Sequence, residues 1–247
     1  MRQIDPFARF DKDWALVTAG TPEHFNGMTI SWGSLGTIWE KSILTVYVRP
    51  DRYTWKFLKE NGVFTVSFYP EEYRGALLKM GTLSGRDTDK PAACGLTPRF
   101  LEEGVTFAEA EETFVCRKIY MAQMKYEDVP EAGKRIYQNG IEPHYIIMGE
   151  VIRHEARVFR TDGQRTWLED EDGRRIALLD HPEVRPGVVR LTHTEVDPAL
   201  SGQGIAGKIT RRVAEQLRKD GRRAELTCSY AVRWFAEHPE YQDVLAR

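Results

Sequence analysis

The sequence has few cysteines and no long apolar segment. It contains three widely spaced cysteines, Cys94, Cys116 and Cys228, and this odd number argues against a disulfide framework and for a reducing, cytoplasmic compartment. It has no CxxC motif, no HExxH motif and no cluster of histidine with cysteine, so we expect no metal site. Its apolar runs are no longer than a strand, which argues against a membrane partner.

An excess of charge of one sign is lacking too. The chain has 35 Lys and Arg against 37 Asp and Glu, and this balance gives no reason to expect nucleic acid as a partner. No internal repeat and no Gly/Ser/Pro-rich linker is present. The pattern of the sequence nevertheless changes near residues 153–156, and we predict two domains, residues 1–153 and 154–247.

The strongest chemical signal is the run HTEVDPALSGQGIAGK, which begins at His193. It leads from a strand predicted over residues 188–196, through three glycines, into an amphipathic helix predicted over 205–220. Backbone N–H groups at such a helix N-terminus bind phosphate. Gly202, Gly204 and Gly207 also match the dinucleotide fingerprint GxGxxG. The dinucleotide-binding fold requires a parallel sheet, whereas the preceding residues are predicted to form antiparallel hairpins with strands at 157–161, 165–169 and 174–179.

The segments THTEVDPALSGQGIAGKI and TCSYAVRWFAEHPEY resemble the small, single-unit branch of the GNAT N-acetyltransferase superfamily, over residues 155–247. The resemblance implies a small mixed α/β domain that binds acetyl-CoA or CoA. It implies that the pyrophosphate is held by the backbone amides of Gln203, Gly204, Ile205, Ala206, Gly207 and Lys208. Two positions depart from the family pattern: Ser201 replaces the usual Arg or Gln, and Ser229-Tyr230 replaces Pro-Phe.

Acetyl transfer requires a base for the amine and a proton for the departing thiolate. We expect His193 or Glu195 to be the base, and Tyr241 or Cys228 to serve the leaving sulfur. Cys228 could also carry the acyl group as a nucleophile. A purely structural role stays open for each of these four residues.

The first half of the chain has a different pattern. Six runs rich in β-branched and aromatic residues predict strands at 14–19, 27–32, 42–48, 63–69, 113–124 and 145–153. Short helices are predicted at 53–59, 74–80 and 131–137. An antiparallel sheet with two exposed edges would aggregate, and closure removes those edges. We therefore predict a mainly β fold, an antiparallel closed or split barrel.

Polar residues interrupt this apolar pattern at a few places. Hydroxyl, amide and cationic side chains occur beside one strand, after the next strand and in a glycine-containing loop: Asn26, Thr29 and Ser31, then Arg49, Arg52 and Thr54, then Ser84-Gly85-Arg86-Asp87 with Lys90. Such groups suit a phosphate monoester, because hydrogen bonds to a charged group are short and strong. The alternative is that the cations are solvated residues beside turns.

The motifs FNGMTISWGSLG, RPDRYTWKFLKENGVFTVSF, LSGRDTDK, GLTPRF, CRKIY and HYIIMGEV resemble the flavin reductase-like FMN-binding split-barrel family, of flavoredoxin type, over residues 1–152. The resemblance implies that the isoalloxazine is lined by Asn26, Met28, Thr29, Ile30, Ser31 and Trp32. It implies that the ribityl phosphate lies at Arg49, Arg52, Tyr53 and Thr54, with Ser84, Gly85 and Lys90 closing over it. It also implies a homodimer with FMN near the subunit interface.

Together these features predict an NAD(P)H-dependent flavin reductase-like oxidoreductase that acts on small molecules and is fused to an acyl-CoA-dependent N-acetyltransferase-like domain. FMN would carry the redox chemistry, so no dedicated acid or base is required and His144 is interpreted as structural. The alternative is a non-catalytic module. In it FMN serves electron transfer or sensing, and a domain that binds coenzyme A regulates it.

Overall fold

The structure is a computed structural model that describes residues 6–170, 172–202 and 204–246. The chain divides into two compact units, Met1–Glu155 and Ala156–Arg247. In the described part of the chain, no helix is both long enough and apolar enough to cross a membrane.

The first unit is built on a seven-stranded sheet. Its strands and helices, in chain order, are α1 (Pro6–Asp11), β1 (Ala15–Gly20), β2 (Phe25–Ile30), β3 (Gly33–Ile38), β4 (Lys41–Val48), α2 (Tyr53–Glu60), β5 (Val63–Phe68), α3 (Arg74–Thr82), α4 (Lys90–Cys94), β6 (Pro98–Phe100), β7 (Val105–Phe107), β8 (Glu112–Gln123), α5 (Glu131–Lys134) and β9 (Tyr145–Ala156). Single 3₁₀ turns occur at Glu71–Tyr73, Tyr126–Asp128 and Arg135–Tyr137. The strand order in the sheet is β2-β1-β5-β8-β9-β4-β3, and β6 pairs with β7 as a separate hairpin.

The sheet is antiparallel, and its pattern of side chains explains why it folds. The strands β1, β4 and β5 direct residues such as Val17, Leu44 and Phe64 into one core, as expected from the alternation of faces along a strand. The prediction of an antiparallel β fold is confirmed. The strand β3 was not predicted, because its sequence GSLGTI has two glycines and an exposed face.

The second unit is mixed α/β. Its elements are β10 (Val158–Thr161), β11 (Arg165–Glu169), β12 (Arg175–Asp180), β13 (Glu183–Arg185), β14 (Val188–Leu191), β15 (His193–Val196), α6 (Ile205–Lys219), β16 (Arg223–Leu226) and α7 (Ser229–Glu237), with 3₁₀ turns at Pro198–Leu200 and Pro239–Val244. One sheet has the order β10-β11-β12-β15 and a second has the order β13-β14-β16. The apolar stripe of α6, which includes Ile205, Ile209 and Val213, is buried in the core of this unit.

The prediction of one strand over residues 188–196 is wrong. The chain divides at Thr192, because β14 pairs in parallel with β16 while β15 pairs antiparallel with β12. The carbonyl of Leu191 accepts hydrogen bonds from the backbone N–H groups of Thr227 and Cys228, at 3.0 and 2.9 Å. The divergence of β14 and β15 therefore positions Cys228 beside Thr194 of β15, with the two side chains in hydrogen-bond contact.

Candidate functional site

A cavity of about 300 Å³ opens in the first unit beside β2 and the end of β4. We name it the barrel cavity. It brings together seven of the residues that the sequence predicted at a flavin, and adds three others; its lining is Met28, Thr29, Ile30, Ser31, Trp32, Tyr47, Arg49, Arg52, Ile136 and His144. Its volume is at the lower end of the range for small-molecule sites.

One side of the barrel cavity is cationic. Arg49 pairs with Asp51, with Nε and Oδ1 3.2 Å apart, and Arg52 donates a hydrogen bond to the carbonyl of Gly81. Arg52 is also the N-cap residue of α2, and no side-chain cap is formed there by the described residues. Two guanidinium groups beside an uncapped helix N-terminus favour an anionic group.

A second group of predicted residues packs behind β2 instead of lining the cavity. Asn26 donates from Nδ2 to the Thr54 hydroxyl at 2.7 Å, and Lys90 donates from Nζ to the carbonyl of Gly27 at 2.8 Å; all three side chains are buried. Gly85 lies so close to this group that an added Cβ would be 2.1 Å from Oδ1 of Asn26. Burial, together with the charge of Arg52, lowers the pKa of Lys90 to about 8.

Tyr53 and Ser84 are also outside the lining of the cavity. The guanidinium of Arg86 lies over the Tyr53 ring, 4.8 Å from its centroid. The Ser84 hydroxyl accepts a hydrogen bond from the backbone N–H of Arg86 at 3.2 Å. Both residues thus contact Arg86, and neither belongs to the wall of the barrel cavity.

Sequence reasoning missed Tyr47, Ile136 and the position of His144. Tyr47 lies between Val46 and Val48 of β4, which are fully buried, so its side chain points to the opposite face of the strand. This alternation was the signal in the sequence that could have identified Tyr47. His144 lines the cavity, with its ring centroid 4.9 Å from that of Trp32 and its Nδ1 2.9 Å from the hydroxyl of Tyr137. Burial and then the nearby charge of Arg49 lower the pKa of His144 to about 4. The ring is therefore neutral at neutral pH.

In the second unit, a glycine loop precedes α6. Gly204 is the N-cap residue with φ of +70°, and Gly202 has φ of +78°, a region that favours glycine. Gln203 lies outside the described residues. The described first turn of α6 has no acidic side chain. The backbone N–H groups of Ile205, Ala206 and Gly207 therefore belong to a first turn that has no side-chain cap from the described residues.

The beginning of α7 lies against this first turn. An added Cβ at Gly207 would be 3.4 Å from Nε1 of Trp234 and 3.5 Å from the hydroxyl of Tyr230. Lys208 closes the turn by donating its backbone N–H to the carbonyl of Gly204 at 3.1 Å. Burial raises the pKa of Tyr230, which keeps its proton at neutral pH. Tyr230 was not predicted as a site residue, although its replacement of the usual phenylalanine was a visible signal.

Cys228 is the N-cap residue of α7. Its Sγ lies 3.4 Å from the hydroxyl oxygen of Thr194. Partial burial acts to raise the pKa of Cys228, but the contact with the Thr194 hydroxyl and the nearby backbone N–H groups at the start of α7 outweigh it, and the pKa is lowered. A thiolate at a helix N-terminus is a better nucleophile and a better target for alkylation than an ordinary thiol at neutral pH.

The other predicted catalytic residues are not brought to Cys228. His193 and Glu195 are exposed on β15, with Nε2 and Oε2 3.6 Å apart. They alternate with Thr194 and so face the opposite side of the strand. Tyr241 is buried and donates to Oε1 of Glu215 at 3.0 Å; burial and then this carboxylate raise its pKa to about 12. Glu215 lies about 16 Å along the α6 axis from Gly204.

Neither site contains a metal-binding cluster. Within residues 6–170, 172–202 and 204–246, no group of three or more His, Cys, Asp and Glu side chains could hold a metal ion.

Comparison with known proteins matches the chain to two family models. Residues 7–167 match the family model of the flavin reductase like domain, and residues 165–244 match that of the GCN5-related N-acetyltransferase. The resemblances inferred from the sequence motifs are confirmed. No curated protein sequence gives a significant match to the chain.

Several solved structures are similar to the chain. Flavoredoxin from Methanosarcina acetivorans is 19% identical, with a TM-score of 0.48, and the match covers 77% of this chain and 89% of that one. An FMN-binding protein from Thermus thermophilus is 19% identical, with a TM-score of 0.47, over 58% of this chain and 70% of that one. Nitrilotriacetate monooxygenase component B from Bacillus cereus is 19% identical, with a TM-score of 0.47, over 58% and 68% of the two chains.

Proposed function

Because the chain belongs to the flavin reductase-like family, we propose that its first unit binds FMN in the barrel cavity and is an NAD(P)H-dependent reductase of flavin or another small molecule. The observation that carries this proposal is that one cavity joins two arginines to an apolar and aromatic wall. Met28, Ile30 and Trp32 would contact the ring system, and Arg49 and Arg52 would bind the phosphate. When bound, FMN would supply the capacity to accept a hydride and to pass the electrons on.

The other residues of the cavity orient the ligand and shape the pocket. The Thr29 hydroxyl donates to the carbonyl of Leu77, so towards a ligand it acts as an acceptor, while Ser31 can donate. His144 is neutral and adds no positive charge to that of the two arginines. The buried bonds from Asn26 to Thr54 and from Lys90 to Gly27 hold β2 in place.

The binding step can be tested by titrating the full chain, freed of bound ligand, with FMN and following flavin fluorescence. We expect Arg49→Gln and Arg52→Gln each to weaken binding about tenfold or more, because each removes a charge-assisted hydrogen bond. Arg117→Gln is the matched control, since Arg117 is an exposed residue of β8 that does not line the cavity. Equal affinities of all three variants and the wild type would contradict the proposed site.

The reductase step has its own test. The FMN-loaded protein should oxidise NADH or NADPH when free FMN is added as acceptor. A protein that binds FMN tightly and oxidises neither nucleotide would instead be an electron-transfer or sensing module.

We also propose that the first unit forms a homodimer through β3. This strand is at the end of the sheet, and Leu35, Ile38 and Trp39 are 41, 37 and 61% exposed. An apolar edge strand of this kind is stabilised when a partner covers it. Light scattering after gel filtration should give a dimer for the wild type and a monomer for Leu35→Lys. A monomeric wild type at micromolar concentration would contradict this interface.

For the second unit, we propose that the amides at the N-terminus of α6 bind the phosphates of coenzyme A. Cys228 would then be the acyl-accepting group: its thiolate attacks the thioester carbonyl, the bond to the coenzyme A sulfur breaks, and coenzyme A leaves as a thiol with one proton. An amine then attacks the Cys228 thioester, its proton replaces the one given to coenzyme A, and the Cys228 thiolate is restored. The neutral hydroxyl of Tyr230, at the first turn of α6, is suited to donate the proton that coenzyme A takes.

A second candidate function is favoured by the positions of the remaining predicted residues. His193 and Glu195, the predicted bases for the amine, are on the opposite face of β15 from the Thr194 side chain that contacts Cys228, and Tyr241 donates to Glu215. In this alternative the unit binds coenzyme A and regulates the flavin domain without acetyl transfer. Incubation with acetyl-CoA and mass spectrometry distinguish the two: acetylation of Cys228, absent in Cys228→Ser and retained in Cys94→Ser, supports transfer. If acetyl-CoA binds but no coenzyme A thiol is released in the presence of any amine, the result supports the regulatory domain.

A further inference from the structure

The C-terminal unit contains a cavity of its own, whose lining does not include the glycine loop. It encloses about 260 Å³ between the β10–β11 hairpin and the second half of α6, and we name it the helix cavity. Its residues on α6 begin at Arg212, about 12 Å along the axis from Gly204. Phe159, Val213 and Leu217 form its apolar wall. Neither proposed activity of the protein uses this space.

Several charged side chains line the helix cavity. Arg160, Arg212 and Arg222 line it, whereas Asp220 is its only acidic residue among those described. Arg160 pairs with Glu169 at 3.1 Å and Arg222 with Glu183 at 3.2 Å, so these two cations are already neutralised.

Arg212 is the exception among these arginines. It forms no ion pair with any carboxylate of the described residues, and its Cζ lies 5.7 Å from the centroid of the Phe159 ring. The cavity therefore joins an uncompensated guanidinium to an aromatic wall.

A buried histidine provides a second, independent observation. His181 lines the helix cavity and is 6% exposed, and its Nε2 lies 2.8 Å from the hydroxyl of Thr166. Its Nδ1 is buried and has no hydrogen-bond partner in the described structure. A buried polar atom without a partner is costly and uncommon, and a ligand that offers a complementary group satisfies it.

We propose that the helix cavity binds a small organic anion, a phosphate monoester or carboxylate carried on a single ring. The anionic group binds Arg212, and the ring packs against Phe159 and Leu217. A polar substituent reaches Nδ1 of His181. The size of the cavity suits one ring, and the guanidinium of Arg212 favours an anionic group at its end of the cavity.

The test uses phenyl phosphate and benzoate as probes, with the full chain, by isothermal titration calorimetry. We expect one site per chain for at least one probe, and a loss of affinity of about tenfold or more in Arg212→Gln. Arg211→Gln is the matched control, because the neighbouring Arg211 is near Tyr241 and does not line the helix cavity. We expect that variant to bind within about twofold of the wild type. No binding of either probe, or equal losses in the two variants, would overturn the proposal.

Competition distinguishes this site from the far end of a coenzyme A site. Coenzyme A also carries a phosphate monoester, which dephospho-coenzyme A lacks. We expect the bound probe to be retained when saturating coenzyme A is added. Displacement by coenzyme A but not by dephospho-coenzyme A would assign the helix cavity to coenzyme A itself and overturn a separate site.

Discussion

The titration of His144 is the most direct test of the electrostatics of the barrel cavity. Its pKa falls from an ordinary 6.5 to about 4, because the ring is partly buried and Arg49 is close. A shift of this size corresponds to about 3 kcal/mol against protonation, and to about 1–2 kcal/mol after allowance for solvent screening of a ring that is only half-buried. Between pH 4 and 6.5 the unfolded chain holds a proton on His144 that the folded chain lacks. Stability therefore falls as the pH is lowered through this window.

The assay is an NMR titration of the His144 ring protons. We expect a midpoint near 4 in the wild type, and a higher midpoint in Arg49→Gln, because one positive charge near the ring is removed. Arg117→Gln removes the same charge from an exposed site on β8 and should leave the midpoint unchanged. A wild-type midpoint near the ordinary value, or identical shifts in the two variants, would refute the proposed environment of His144.

Three further predictions concern packing, a buried cation and a reactive thiol. Gly149→Ala should lower the stability of the first unit by about 1–3 kcal/mol, since the added Cβ would lie 2.5 Å from a buried side-chain carbon; thermal unfolding would show this, and an unchanged melting temperature would contradict it. Gly62→Ala, where an added Cβ meets no described atom within 4 Å, is the control. The pKa of Lys90 is about 8 against an ordinary 10.5, so between these pH values the unfolded chain holds a proton that the folded chain lacks. Stability should therefore rise with pH across this window in the wild type and not in Lys90→Met. Denaturant midpoints measure this, and parallel pH profiles of the two proteins would argue against it. Cys228 should be alkylated by iodoacetamide at neutral pH faster than the other two cysteines, and Thr194→Val should slow the reaction at Cys228. Peptide mass spectrometry follows the alkylation of each cysteine, and an equal rate at all three would exclude an activated thiol.

Much of the fold could be read from local patterns. The alternation of apolar residues predicted β1, β2, β4, β5, β8 and β9 to within a few residues, and the periodicity of Ile205, Ile209 and Val213 predicted α6. These signals are local, because one buried face imposes a period on each strand or helix. The strand β3 was not predicted, because its sequence GSLGTI places no regular row of side chains in the core.

The candidate sites were predictable only in part. Thr29 of β2 and Ser31, which follows the end of β2, reach the barrel cavity together, and the glycine loop was evident from its sequence. The cavity is also lined by Tyr47 of β4 and by His144, which directly precedes β9, and no spacing in the sequence links these two residues to β2. Strand order places β4 beside β9 but puts β2 at the other end of the sheet, so β2 meets them only because the sheet curves into a barrel.

By itself, the sequence determined the resemblance to two families, the antiparallel character of the first unit and the presence of a glycine loop before α6, since each depends on neighbouring residues. Only the tertiary structure decided which polar residues meet. The division of the chain at Thr192 separates His193 from Cys228, and the packing of α6 against the C-terminal turn directs Tyr241 to Glu215. Contacts of this kind depend on how strands and helices distant in sequence pack together, which no local pattern specifies.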